Sequence, residues 1–310
     1  IRDRGGRYLV RIVAVDIGGT AIKSGLWNGE AIEQLKETDT FASEGGAALM
    51  ERVKRLIHSY QGFDAVGVST AGEVDTRDGS IFYANSNIPG YTGMPVKRIL
   101  EEEFRVPVIV ENDVNAAALG ELFAGAGEGC DSFLCLTYGT GVGGSIVIDG
   151  KVYPGASFSA GSFGGIVIHP EEKGGTDSLQ GCYEQCASTT GLVKRVRQVC
   201  PELCNGRKIF AAMDRPEIKE QIDAWIDDIC TGLVTLCCVF NPSKIILGGG
   251  VMAQEYILKE VNRRVKTQLA PGLKIVELVP AQLGNQAGMM GVISLLEKQK
   301  ECITKPHQEG

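Results

Sequence analysis

The stretch VAVDIGGTAIK, residues 13–23, decides how the rest of the chain is read. An apolar run ends at Asp16, Ile17-Gly18-Gly19-Thr20 follows, and a second strand-like run, AIKSGLW, begins at once. The pattern predicts a strand ending in Asp16, a tight glycine turn and a second strand. Two glycines in such a turn let backbone N–H groups approach a phosphate with no Cβ in the way. The Thr20 hydroxyl adds a donor, and Asp16 is placed to hold a hydrated Mg²⁺ on a phosphate tail. A plain β-hairpin explains the same letters, because Asp-x-Gly-Gly is a common turn, so this stretch alone leaves both readings open.

Around it, residues 11–15, 21–27 and 32–36 read as three consecutive antiparallel strands, with Asn28-Gly29 as a hairpin turn. A helix is expected over 46–60, with Leu49, Val53, Leu56 and Ile57 on one face. A buried strand, 65–69, runs into a polar loop, TAGEVDTRDG. A helix over 95–104 opens on proline. A strand over 106–110 ends at Glu111, Asn112 and Asp113, before a helix over 116–123.

The second half starts again in the same way. Strand 133–137 leads into the glycine turn YGTGVGG at 138–144, then strand 145–148, a turn at Asp149-Gly150 and strand 151–153. This repeat of architecture predicts an α/β fold of two related domains whose glycine turns face a shared cleft for a polyphosphate. Coincidence between two ordinary β-meanders is the alternative. A long helix, 214–240, is stopped by Asn241-Pro242. Strand 244–247, three glycines at 248–250 and a helix over 254–269 put bare backbone at a helix N-terminus, which suits a nucleotide. Such glycines equally allow close helix–strand packing. After a strand at 275–279, the last helix, 286–298, is expected to fold back onto the first domain. The domains are read as 1–116 plus 286–302, and 117–285.

A chain of 310 residues is long enough for two full cores, and 44% hydrophobic with 22% charged residues is an ordinary globular composition. The formal net charge of -7 argues against a duplex nucleic-acid partner. No run of 18 apolar residues predicts a membrane helix. The start, IRDRGGRYLV, lacks a signal-peptide core, so a cytoplasmic protein is expected. The ten cysteines read as small buried hydrophobes, and only Cys182 and Cys186 merit attention as metal ligands. There is no G-x-x-x-x-G-K-S/T run and no protein-kinase lysine and catalytic-loop set, so a nucleotide would have to use the glycine turns.

These motifs together resemble the ROK family (repressors, open reading frames and kinases), a branch of the actin-like and hexokinase-like ATPase fold, over nearly the whole chain. DIGGT at 16–20 is similar to its first phosphate motif, YGTGVGG at 138–144 to its second and ILGGG at 246–250 to its adenosine motif. NSNIPGYTG at 85–93 and ENDVNAAALGE at 111–121 resemble its sugar-binding and catalytic stretches, and SFSAG at 157–161 and GCYEQCAS at 181–188 its distal sugar segments. The resemblance is closest to kinases acting on glucose, fructose or β-glucosides. It implies two actin-like (ribonuclease H-like) domains with an interdomain cleft, ATP with Mg²⁺, a small-molecule sugar and a homodimer. With the first phosphate motif starting almost at once, the N-terminal helix-turn-helix of the family's repressors is not expected.

The resemblance implies that Asp16, Gly18, Gly19, Thr20, Lys23, Gly139, Thr140, Gly141, Gly143, Gly144, Gly249 and Gly250 serve ATP and its phosphates. Asp16 would hold Mg²⁺ through water. Gly72, Asn87, Asn112, Asp113, Ser162 and Glu184 fall on the sugar side. It also puts the general base at Asp113, where a carboxylate accepts the proton of the attacking hydroxyl. The same residue reads equally as part of an Asn-Asp helix cap. Asn112 and Asn87 carry planar amides suited to adjacent hydroxyls, although Asn87 also fits a turn before Ile88-Pro89-Gly90. Glu184 resembles the distal sugar carboxylate, against a solvated helix residue.

The departures matter too. Where many members have Glu and, three residues on, His, this chain has Ser162 and Gly165. In zinc-bearing members two further cysteines fall on Gly175 and Asp177 here, so of four ligands only Cys182 remains. His169, Cys182 and Cys186 lack a fourth ligand, and a buried thiol pair is the better reading, with no zinc site. The expected function is an ATP-dependent sugar kinase. The alternative is a weakly catalytic or non-catalytic sensor of the same fold.

Overall fold

The computed structural model of the protein describes residues 10–172 and 180–304. Its chain divides into two units, Ile1–Glu128 with Pro154–Ala160 and Asn285–Gly310, and Gly129–Tyr153 with Gly161–Gly284.

The first unit begins β1 Ile12–Ile17, β2 Ala21–Trp27, β3 Ile32–Asp39 and α1 Gly45–His58. It continues β4 Ala65–Thr70, β5 Glu73–Asp75, β6 Ser80–Tyr83, α2 Val96–Phe104, β7 Val108–Asn112 and α3 Asp113–Ala124. The main sheet has the order β3-β2-β1-β4-β7. β1 pairs antiparallel with β2 and parallel with β4, which is parallel to β7. Helices cover such a parallel centre on both faces, and β1 and β4 are accordingly buried almost throughout. At the edge, β3 reads IEQLKETD and is mostly exposed, its charges discouraging pairing with another strand.

The second unit repeats the topology. It contains β8 Phe133–Tyr138, β9 Val142–Ile148, β10 Lys151–Val152, α4 Tyr183–Ala187, α5 Thr189–Arg197 and α6 Gly206–Ala211. α7 Pro216–Phe240, β11 Lys244–Gly248, α8 Glu255–Gln268 and β12 Glu277–Pro280 complete it. Its sheet order, β10-β9-β8-β11-β12, matches that of the first unit strand for strand. Pro216 opens α7 where a missing N–H costs nothing, and Asn241, at φ 44°, ends it.

Two sequence expectations change. The polar loop TAGEVDTRDG contains β5, which forms a hairpin with β6. The glycines at 248–250 lead through a 3₁₀ turn, Gly250–Ala253, into α8, which begins within one residue of the expected start. A boundary at 116 would cut α3, which lies wholly in the first unit.

That helix belongs there because of α9, Ala287–Thr304, which returns to the first unit and packs on α3. The two backbones approach so closely that side chains are excluded at the crossing. A Cβ on Gly291 would stand 1.8 Å from Ala116 O, and one on Gly120 2.2 Å from Ala287 O. Gly291→Ala should therefore destabilise the fold by about 1–3 kcal/mol through overpacking. Gly272→Ala, where the added methyl would meet nothing within 4 Å, should not. Thermal unfolding of the two variants checks this, and equal melting temperatures would contradict it.

Candidate active site

In the first unit the site gathers at the carboxyl ends of three parallel strands, the usual ligand edge of an open α/β sheet. Register sets Asp16 beside Ser69 and Glu111, and Ile17 beside Thr70 and Asn112. Asp16 lies inside β1 rather than at its end, because the strand continues through Ile17. Across the antiparallel pair it faces Lys23. Ser69 Oγ donates to Asp16 Oδ1 at 2.6 Å. Burial pushes the Asp16 pKa up, against the opposing effects of this hydrogen bond and of Lys23. Gly288 of α9 closes the corner, since a Cβ there would come within 2.6 Å of Ser69 Oγ and 2.9 Å of Asp16 Oδ1.

The first glycine turn is held from behind. Gly18 N donates to Ala21 O at 3.0 Å, and Thr40 Oγ1 donates to Gly18 O at 2.7 Å. Gly19 and Thr20 are exposed, and a Cβ on Gly19 would meet nothing within 4 Å. Gly19 is thus open to a ligand.

Asp113 is the first residue of α3, and the cap is Asn112, whose Oδ1 accepts from Val114 N at 3.0 Å and Asn115 N at 3.1 Å. Asn112 Nδ2 donates to Gly72 O and to Asp113 Oδ1, both at 2.9 Å. All four hydrogen-bonding positions of this amide are therefore filled. A direct contact with a ligand would require Asn112 to give one up; as it stands, it orients Asp113. Asp113 Oδ1 also accepts from Val114 N at 2.9 Å. Burial, then the charge of Asp16, pushes the Asp113 pKa up to about 6. Burial brings Glu111 to about 6 as well. Gly72 has φ 97° and would place a Cβ 2.9 Å from Tyr83 O. Only glycine fits well at that backbone, and its carbonyl fixes Asn112. Asn87 is exposed in a turn, its N–H donating to Asn85 Oδ1 at 3.1 Å.

In the second unit, Cβ tests separate two kinds of glycine. Cβ atoms on Gly139 and Gly250 would meet nothing within 4 Å. One on Gly141 would strike Glu184 Oε2 at 2.1 Å, one on Gly144 Phe163 at 2.2 Å, and one on Gly249 Tyr138 O at 2.1 Å. Gly141, Gly144 and Gly249 are packing glycines, whereas Gly139 and Gly250 border open space. Thr189 N donates to Gly139 O at 2.9 Å, tying α5 to the turn. A pocket of about 890 Å³ opens there, lined by Gly139, Thr140, Thr189, Val193, Arg207, Phe210, Gly250, Val251 and Gln254, among others. Its size and its mixture of apolar walls with bare backbone suit a nucleoside.

Glu184 Oε2 accepts from Val142 N at 3.1 Å, so this carboxylate braces the second glycine turn. Its helix is bolted down by Tyr183, whose hydroxyl lies 2.6 Å from Tyr138 Oη and donates to Ile229 O at 2.8 Å. Ser162 is exposed and precedes a 3₁₀ turn, Phe163–Gly165. A Cβ on Gly165 would meet nothing within 4 Å.

Sequence reading missed Ser69, Thr40, Gly288 and Thr189. Ser69 and Gly288 carry no local signal, because strand register and the return of α9 bring them to Asp16.

A sequence profile of the ROK family matches residues 12–299. The chain belongs to the ROK family. It is 32% identical to a glucokinase of Halalkalibacterium halodurans, over 96% of this chain and 98% of the relative. It is 34% identical to a beta-glucoside kinase of Listeria innocua, over 92% and 96%. A ROK family glucokinase from Streptomyces griseus, solved in complex with glucose and AMPPNP, superposes with a TM-score of 0.78 at 31% identity, covering 92% of this chain and 98% of that one. The duplicated sheets are thus the two actin-like domains of a ROK protein.

The zinc-ligand positions of some ROK proteins fall here on Gly175 and Asp177, outside the described residues. His169 is engaged elsewhere: Nδ1 lies 2.9 Å from Glu171 Oε1 and Nε2 2.8 Å from Asp228 Oδ1. Hydrogen bonding to Asp228, then to Glu171, pushes its pKa up and favours imidazolium, which cannot bind a metal. Burial lifts the Cys186 thiol to about 11, disfavouring the thiolate a metal needs. Elemental analysis of purified protein should find far less than one zinc per chain. Stoichiometric zinc whose removal abolishes activity would overturn this.

Proposed function

We propose that this ROK protein is an ATP-dependent sugar kinase that phosphorylates a hydroxyl of a hexose or hexose derivative, with Asp113 as general base. The observation that carries the reading is the mounting of Asp113. A partly buried carboxylate sits at a helix N-terminus with Oδ1 held by Asn112 Nδ2 and Val114 N. This carboxylate is suited to accept the hydroxyl proton as the sugar oxygen bonds to the γ-phosphorus and the bond to the β-phosphate oxygen breaks. A pKa near 6 leaves the carboxylate ionised at neutral pH yet more basic than an ordinary aspartate.

The nucleotide would occupy the pocket of the second unit, with Gly139, Thr140 and Gly250 against it; in the first unit, Gly19 and Thr20 present donors of the kind a phosphate takes. The partners of Asp16 fit a hydrated Mg²⁺: one oxygen is taken by Ser69, and the other can accept from metal-bound water. Such an ion would neutralise phosphate charge. On the sugar side, Asn87 and Glu184 remain proposed ligands, each requiring rearrangement or a second oxygen. The sensor alternative draws on the loss of the carboxylate and histidine at Ser162 and Gly165. The intact Asp113 mounting favours the kinase.

Asp113→Asn should lose roughly 10²–10⁴-fold in turnover while folding, because the amide oxygen can take over both hydrogen bonds of Oδ1. The folded-state pKa lies above that of an unfolded aspartate, so the ionised group costs stability above pH 6, and that cost fades as pH falls toward 4. Asp113→Asn should therefore be more stable than the wild type at pH 7–8, by on the order of 1–3 kcal/mol, and should lose the advantage near pH 4. Steady-state kinetics and melting curves at the two pH values check this; near-normal turnover would exclude Asp113 as base.

At the open end of the site, a serine cannot replace a charged acceptor worth about 1.5–3 kcal/mol. A free hexose should bind about 10–100-fold more weakly than in a complete site, with room at Gly165 for a substituent on C1 or C2. Ser162→Glu should shift kcat/KM toward the free hexose. An unchanged preference, or a wild type that already favours the free hexose, would contradict the open site.

A further inference from the structure

Two backbone irregularities in the first unit converge on one pair of rings. In the β5–β6 hairpin, Glu73 pairs with Tyr83 but Val74 with Ile81, so Phe82 is the extra residue of a β-bulge. Bulges re-aim a side chain and are common beside active sites. Phe82 remains 48% exposed. Phe158 belongs to the segment Pro154–Ala160 of the same unit and holds φ 61°, a left-handed conformation that a bulky residue seldom adopts. Such strain clusters at ligand sites. The two rings meet edge to face with centroids 5.4 Å apart. The Arg77 guanidinium lies 5.1 Å from the centre of the Phe158 ring and is steadied by Asp75, with Nε donating to Oδ1 at 2.8 Å.

The pair is fastened to the acceptor side of the unit. At the end of β6, Ala84 N donates to Thr92 Oγ1 at 3.0 Å and Thr92 Oγ1 donates to Ala84 O at 3.1 Å, clamping the hairpin to the 85–93 stretch. Tyr91 in that stretch meets Thr70 Oγ1 through its hydroxyl at 2.8 Å, and Thr70 is registered with Asn112, the neighbour of the base. Next to the hairpin, Gly72 packs against Tyr83 O and its carbonyl accepts from Asn112 Nδ2. In sequence, Phe158 precedes the shortened Ser162 by four residues.

We propose that Phe82 and Phe158 form a platform for a flat ring carried on C1 of the sugar, an aryl aglycone or a second pyranose of a β-glucoside, with Arg77 donating to polar atoms at its rim. Resting on the kinase reading, this names the substituent that the acceptor side of the first unit would receive. An aromatic face held by strain is pre-organised for a ring, and the guanidinium beside it suits ring hydroxyls better than a bare apolar patch would.

The test compares kcat/KM for phenyl β-D-glucoside and for cellobiose with that for glucose, using the full chain. Wild type, Phe82→Ser and Phe158→Gly are measured; glycine suits φ 61°, so the second variant removes the ring without disturbing the backbone. The ratio of substituted to free sugar should exceed one in the wild type and fall about 3–10-fold in each variant. A fall for phenyl glucoside alone identifies an aryl aglycone, and a fall for both identifies either ring. Ratios unchanged in both variants, with glucose still phosphorylated, would overturn the platform and leave the kinase reading standing. No turnover of any sugar by the wild type would overturn both. Sedimentation velocity completes the comparison: a dimer lost in Phe82→Ser with unchanged ratios would mark a self-association face and reject the platform.

Discussion

The contact on which the rest depends is the crossing of α3 and α9, where Ala116 faces Gly291 and Gly120 faces Ala287 with no room for a side chain. The residues on α9 lie some 170 positions beyond their partners in the chain, so the first unit is not complete until the C-terminal helix has returned. Two parts of the site hang on that return. α3 carries Asp113 at its first position, and α9 brings Gly288 against the carboxylate of Asp16. A close crossing is stiff, because packed backbone cannot yield as a flexible side chain can. Stiffness is what a general base needs, since a small misplacement of a reacting group is costly in rate.

The two aspartates make the site electrostatically unfavourable by itself. Burial raises both, and the charge of Asp16 adds to the rise at Asp113. Ser69, Lys23 and the amide of Asn112 relieve only part of this. A site that stores uncompensated negative charge is primed for a partner that brings positive charge or accepts a proton, which is the economy expected of phosphoryl transfer to an alcohol.

Much of the fold was legible because it is local. Glycine turns, alternating strands and the Asn241 stop all act within a few residues, so the repeat of strand, turn and strand could be read from letters. The hairpin of β5 and β6 was missed because its strands are three and four residues long, too short to show periodicity. At the site, the family motifs pointed to Asp16, Asn112 and Asp113, but not to their division of labour. Both Asn112 and Asp113 looked capable of capping, and only the geometry shows that Asn112 caps and also clamps its neighbour. Likewise the glycines of the second turn look alike in sequence, yet Gly141, Gly144 and Gly249 serve packing while Gly139 and Gly250 border the pocket. Close approach is a long-range property, so no local pattern separates the two groups.

The pH dependence of kcat/KM for the sugar, under saturating Mg·ATP, tests the role of the Asp113 carboxylate most directly. With a base whose pKa is about 6, the rate should be level from pH 7 to 8 and fall tenfold per unit below about 6. The same limb should persist in Glu111→Gln, which removes a neighbouring carboxyl group that burial raises to about 6. A profile that stays level down to pH 4.5, or a limb that disappears with Glu111, would contradict the assignment.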